Sequence, residues 1–67
     1  MKLGNHLKRL RFDLGMTQKD LAEAISVSRQ TIISIEKGRF IPSTLLALKL
    51  ASVFNKPVEE IFYIIEE

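Results

Sequence analysis

TQKDLAEAISVSRQTIISIEKG, residues 17–38, carries two runs of helical apolar spacing divided by a short polar break. Thr17 is a good N-cap, and Asp20 stands three residues on, in a variant of the capping box. Leu21, Ala22 and Ile25 form a stripe on one face of the first run. Ala22 is small enough to let a neighbouring helix approach closely. Ser26-Val27-Ser28 reads as a tight turn with Val27 inward, and Ser28 caps a second run from Arg29 to about Lys37. Ile32 and Ile35 are the apolar residues expected inside it. Arg29, Gln30, Thr31, Ser34 and Lys37 are left for the other faces, and Gly38 suits the left-handed position that ends a helix.

Two short helices, a tight turn and a polar opening to the second helix make a helix-turn-helix, in which one helix braces and the next enters the DNA major groove. Outward from it, Leu3, Leu7, Leu10 and Leu14 recur at helical spacing, which predicts helix one over 4–14, closed by Gly15. After the loop Arg39-Phe40-Ile41-Pro42, Ser43 caps helix four, from Thr44 to about Phe54, and Asn55 ends it. Pro57 fits the first position of helix five, with Glu59 and Glu60 in its first turn. Val58, Ile61 and Phe62 complete the core. The expectation is therefore an all-α domain of five helices over 1–67. The tail Phe62 to Glu67, FYIIEE, is β-prone, and Met1 to Leu3 are available to pair with it.

The composition excludes several classes. Sixty-seven residues allow one domain with a modest core, which often needs help from a partner, a metal or disulfides. There are no cysteines and one histidine, His6, so neither disulfides nor a zinc site are expected. His6 is expected at the surface of helix one. A hydrophobic content of 46% suits a folded chain. No apolar run has the length of a membrane span, so no membrane partner is expected and the cytoplasm is the default location. Residues 1–56 hold all ten Lys and Arg against Asp13, Asp20, Glu23 and Glu36, a balance of +6. Residues 57–67 hold four Glu and no base, a balance of −4. A polyanion is drawn to the first part and repelled by the tail.

Thr17-Gln18, Leu21-Ala22, Val27-Ser28, Ile32, Ile35-Glu36, Gly38 and Pro42 together resemble the helix-turn-helix of the Cro/C1-type (Xre) regulators, with the lambda-repressor-like fold. The likeness covers essentially the whole chain and extends to the short stand-alone regulators of the cytolysin-repressor type, which carry a small β element. The resemblance implies sequence-specific binding to double-stranded DNA, with no cofactor. It implies that Gln18 anchors a phosphate and braces a base-reading side chain. Arg29 and Gln30 take the first base-reading positions, where Arg pairs with guanine and Gln with adenine. For Arg29 a phosphate contact is the alternative. Ser34 takes a third, short enough to need water or a phosphate. Thr31 offers a methyl to thymine or a hydroxyl to phosphate, or is a plain surface residue. The resemblance also implies an ion pair of Arg11 with Glu36. By chemistry alone, Ser28 combines cap and phosphate contact, and Lys37 and Arg39 are phosphate clamps. Lys19 reads as solvated lysine or as a further clamp.

No nucleophile with a base, glycine-rich phosphate loop or carboxylate pair points to an enzyme. Helix four is apolar nearly all round: Ala47, Leu48, Ala51 and Phe54 form one stripe, and Leu45, Leu46, Leu50 and Val53 extend it. Such a helix is buried on more than one side, which points to a homodimer. Leu46, Leu50, Val53, Tyr63, Ile64 and Ile65 are its candidate interface, with 63–67 as a dimerisation strand. Ordinary core with an exposed Leu45 is the alternative. No room is left for a ligand-sensing domain, so no small-molecule ligand is expected. The favoured reading is a repressor on a palindromic operator. An antitoxin or other protein-interaction module is the alternative, disfavoured by the polar residues at Arg29, Gln30 and Ser34.

Overall fold

The computed structural model describes residues 1–66. The tail strand expected over 63–67 thus includes one residue, Glu67, outside the described range. The elements run β1 (Lys2–Asn5), α1 (Leu7–Asp13), α2 (Gln18–Ala24), α3 (Arg29–Glu36), α4 (Thr44–Phe54), a single 3-10 turn (Val58–Glu60) and β2 (Phe62–Ile65). Among the described residues the expected five helices are four, plus that turn and a two-stranded sheet. Helix five does not form because only four residues separate Pro57 from β2. Among the described residues no helix is long and apolar enough to cross a membrane.

Helix one also begins later than its leucine spacing predicts. Leu3 belongs to β1, which pairs antiparallel with β2: Lys2 with Ile65, Leu3 with Ile64, Gly4 with Tyr63, Asn5 with Phe62. Leu3 lies at a position that satisfies either a helical or a β pattern, and the β-prone tail supplies the strand it needs. A Cβ on Gly4 would collide with the Tyr63 ring, so this ring lies directly over the glycine, filling its missing side chain. His6 flanks the same ring, 4.7 Å between centroids. The cap of α1 comes from Asn5: its Oδ1 accepts the Leu7 N–H at 3.1 Å, while its Nδ2 donates to the Ile35 carbonyl at 2.9 Å. One side chain thereby ties the sheet to the end of α3. Leu14, counted in the leucine spacing of helix one, follows the end of α1 and is exposed.

All four helices end alike. After α1, Met16 N–H reaches Arg11 O and Gly15 N–H reaches Phe12 O; after α3, Arg39 reaches Ser34 and Gly38 reaches Ile35. The pairs Val27–Ala22 with Ser26–Glu23, and Lys56–Ala51 with Asn55–Ser52, repeat the pattern after α2 and α4. This closure needs a left-handed residue, and it is Gly15 (φ 66°), Ser26 (60°), Gly38 (74°) and Asn55 (52°). Gly15, Gly38 and Asn55 are legible in the sequence. Ser26 is not, because serine rarely adopts this conformation. Its side chain costs about 1–2 kcal/mol there, partly offset by the freedom glycine would add to the unfolded chain. Ser26→Gly is therefore expected to stabilise the domain by ~0.5–1 kcal/mol, read as a higher Tm. An unchanged or lower Tm would show that Ser26 bears no strain.

The core joins Leu7, Leu10, Leu21, Ala22, Ile25, Ile32, Ile35, Leu46, Leu50, Phe54, Ile61 and Phe62. Helix four contributes Leu46, Leu50 and Phe54, one face at a spacing of four. Two of the expected interface residues are thus corrected: Leu50 is completely buried and Leu46 nearly so within the single chain. They belong to the core cluster of the single chain rather than to an open face, because the spacing of four selects one side of the helix. Val53 packs on the edge of this core, while Leu45, Leu48, Tyr63, Ile64 and Ile65 are exposed.

Candidate nucleic-acid interface

The two central helices are set by reciprocal caps. Thr17 Oγ1 accepts the Asp20 N–H at 3.0 Å, and Asp20 Oδ2 accepts the Thr17 N–H at 2.9 Å. Hydrogen bonding by Thr17, first from its backbone N–H to the carboxylate and then through its side chain, holds Asp20 below the usual carboxylate range. Ser28 caps α3: its Oγ accepts the Thr31 N–H at 3.1 Å and lies 2.9 Å from Thr31 Oγ1. Leu21, Ala22 and Ile25 of α2 and the loop after it then seal against Ile32 and Ile35. That burial leaves α3 no rotational choice, so its polar residues must face outward.

Arg29, Gln30, Lys37 and Arg39 are exposed, and Ser34 and Thr31 half-buried. With its side chains an α-helix such as α3 is about 10–12 Å across, a diameter that the ~12 Å wide major groove admits. Two surface grooves run beside it. The larger, about 560 Å³, is lined by Arg11, Phe12, Met16, Thr17, Gln18, Lys19 and Arg29. The smaller, about 230 Å³, is lined by Lys8, Arg11, Gln18, Ile33, Glu36 and Lys37. Gln18 and Arg11 are common to both. The structure thus brings Gln18, Lys19, Arg29 and Lys37 together on one side. Gln30, Ser34 and Arg39 do not line these grooves.

Arg11 and Glu36 lie at the floor, with side chains 6% and 8% exposed. The pairing is two-pronged: Arg11 Nε donates to Glu36 Oε2 at 2.8 Å, and Nη2 to Oε1 at 3.1 Å. Nη1 donates to the Met16 carbonyl at 3.1 Å. Gln18 Nε2 adds a fourth bond, to Glu36 Oε1 at 3.3 Å. The carboxylate of Glu36 is therefore consumed internally, and the grooves present Lys8, Lys19, Arg29 and Lys37 as their cations. Such a surface attracts phosphate oxygens.

Two members of this surface were not found from the sequence. Lys8 is one of three bases in α1, with Arg9 and Arg11, and only the packing of α1 beside α3 shows that it lines a groove with Lys37. Phe12 is 62% exposed at the rim of the larger groove, with Lys8 Nζ 5.8 Å and Arg11 Cζ 5.0 Å from its ring centre. The signal available for both was the i, i+3 and i, i+4 spacing of Lys8, Arg11 and Phe12, which shares one helix face. His6 stands away from these grooves, against Tyr63. Among the described residues no cluster of three or more His, Cys, Asp or Glu side chains is placed to hold a metal ion.

A family model for helix-turn-helix domains, HTH_3, matches residues 7–61. A Bacillus subtilis protein, designated an uncharacterized HTH-type transcriptional regulator, is 44% identical over 63 residues, 94% of this chain and 96% of its own. A protein of the same designation from Methanocaldococcus jannaschii is 52% identical over 58 residues, 87% of this chain and 88% of its own. Among solved structures, the restriction-modification controller protein C.AhdI from Aeromonas hydrophila superposes with a TM-score of 0.74 at 30% identity, covering 81% of this chain and 82% of its own. A Bacteroides fragilis structure with a TM-score of 0.80 at 23% identity shares the fold. With the capped turn between α2 and α3, the sealed apolar seam and a family match from Leu7 to Ile61, this chain belongs to the helix-turn-helix family HTH_3, of the Cro/C1 (Xre) type.

Proposed function

We propose that this protein is a transcriptional regulator that reads a specific DNA sequence with α3 and represses by occupying a palindromic operator as a homodimer. The observation that carries the DNA reading is the polar, cation-rich face of α3 and its grooves, held by a core that leaves α3 no other orientation. Family membership and the designations of the relatives support the regulatory role. Arg29 and Gln30 are the base readers, Gln18 and Ser28 act at the entry of the helices, and Lys8, Lys19, Lys37 and Arg39 hold phosphates. Thr31 and Ser34, partly withdrawn, contribute short contacts.

The dimer reading rests on exposed apolar side chains that one chain does not cover: Leu45 and Leu48 on α4, and Tyr63, Ile64 and Ile65 on β2. Val53 borders them. One recognition helix reads a few base pairs, whereas two about 34 Å apart read a palindrome. A dimer on its operator blocks polymerase by occupancy.

Selection of bound DNA from a random pool tests the reading: a palindromic consensus is expected, and recovery of unrelated sequences would reduce the function to non-specific binding. Arg29→Ala is expected to relax preference at one position of each half-site, by ~1–3 kcal/mol of discrimination. Lys37→Ala is expected to weaken binding to all sequences and lower the slope of log K against log salt by about 1. Unchanged base preference in the first variant, or a change confined to one base in the second, would reverse those assignments.

A further inference from the structure

We propose that Glu36 is a positioning residue for DNA recognition, acting through Gln18 in addition to its pairing with Arg11. This rests on the DNA-binding reading above. An ionised carboxylate only accepts hydrogen bonds, so the Gln18 amide atom that meets Glu36 Oε1 at 3.3 Å is Nε2. That contact settles the amide orientation. The carbonyl oxygen of Gln18 is turned away from the carboxylate, and one Nε2–H remains free. Gln18 lines both grooves, the larger beside Arg29 and the smaller beside Lys37. Its outward Oε1 is an acceptor for an N–H donor such as the Arg29 guanidinium, and its remaining N–H suits a phosphate oxygen. An unheld glutamine presents either end.

The anchoring is stiff because Glu36 cannot follow Gln18. Both its oxygens are bonded to Arg11, which in turn is bonded to the Met16 carbonyl just before α2. The buried ion pair therefore links the floor of the site to the side chain at its rim. The chain of contacts runs Met16, Arg11, Glu36, Gln18, and spans α1, α2 and α3. Ordering Gln18 before DNA arrives removes an entropic cost from binding.

A thermodynamic cycle tests this on the DNA selected from the random pool. Arg11→Met with Glu36→Leu removes the pair without stranding a buried charge. This variant and Gln18→Ala are each expected to lose about tenfold in affinity, the scale of one oriented hydrogen bond. The triple variant is expected to lose no more than either alone, since Gln18 acts only when held. Losses that multiply, or wild-type affinity in the paired replacement, would overturn the proposal. A second measurement needs no variant: NMR relaxation of the Gln18 side-chain amide in the free protein. Order close to that of the backbone supports the proposal, and a freely mobile amide overturns it even where the paired replacement does not fold. If the wild-type protein selects no DNA sequence, the underlying reading fails instead, and the NMR result still reports the Gln18–Glu36 contact.

Discussion

Arg11→Ala is expected to destabilise the domain by about 3–5 kcal/mol, the cost of stranding a buried charge. The guanidinium makes three hydrogen bonds, two to Glu36 and one to the Met16 carbonyl, in a site where both side chains are more than 90% shielded. Removing it leaves a carboxylate with Gln18 as its one remaining side-chain donor among the described residues. A domain of this length has only about 3–10 kcal/mol of stability in total. The variant is therefore expected to be largely unfolded, or to melt at least ~12 °C lower, at 4–8 °C per kcal/mol. Circular dichroism melts check this. A drop of only a few degrees would mean that water reaches Glu36 and replaces the guanidinium. Arg11→Met with Glu36→Leu should recover most of the loss, because no charge is then left without a partner.

Leu50→Ala is expected to cost about 2–5 kcal/mol. Leu50 is completely buried among residues from every helix, and a cavity there cannot close without moving α4. The loss should appear at every protein concentration, because it belongs to the single chain. Leu48→Ala is the contrast. Its side chain is 56% exposed, so the stability of the chain should change by less than about 0.5 kcal/mol. In a homodimer, however, this variant should weaken self-association and remove the concentration dependence of Tm. Sedimentation together with melts at two concentrations separates the two outcomes. Should Leu50→Ala leave Tm unchanged while lowering self-association, α4 would be docked the other way round, with Leu50 outward.

The central motif was legible because each signal acts locally. Thr17 and Ser28 cap through neighbours three residues away, and Leu21, Ala22, Ile25, Ile32 and Ile35 show one period and one face. Gly15, Gly38 and Asn55 announce their left-handed conformation by type, whereas Ser26 adopts it because the turn between α2 and α3 has no other way to close. The leucine spacing starts α1 too early because Leu3 fits two periods, and the choice between them depends on β2 at the far end of the chain. The inward placement of Leu46 and Leu50 is hidden from the sequence for a related reason. Helix four is apolar on most sides, so its pattern does not say which side is inside.

The functional face divides in the same way. The order of residues alone established a capped helix-turn-helix and its outward polar set, because caps, turns and period are local properties of the chain. Tertiary packing decided three further things. It turned Leu46 and Leu50 inward and left Leu45 and Leu48 outside. It paired the two termini into a sheet with Tyr63 over Gly4. It also brought Lys8 of α1, Gln18 of α2 and Lys37 beside α3 around one buried ion pair. These juxtapositions join residues far apart in sequence, and only the closing of a common core over Arg11 and Glu36 brings that pair and Gln18 within hydrogen-bond reach.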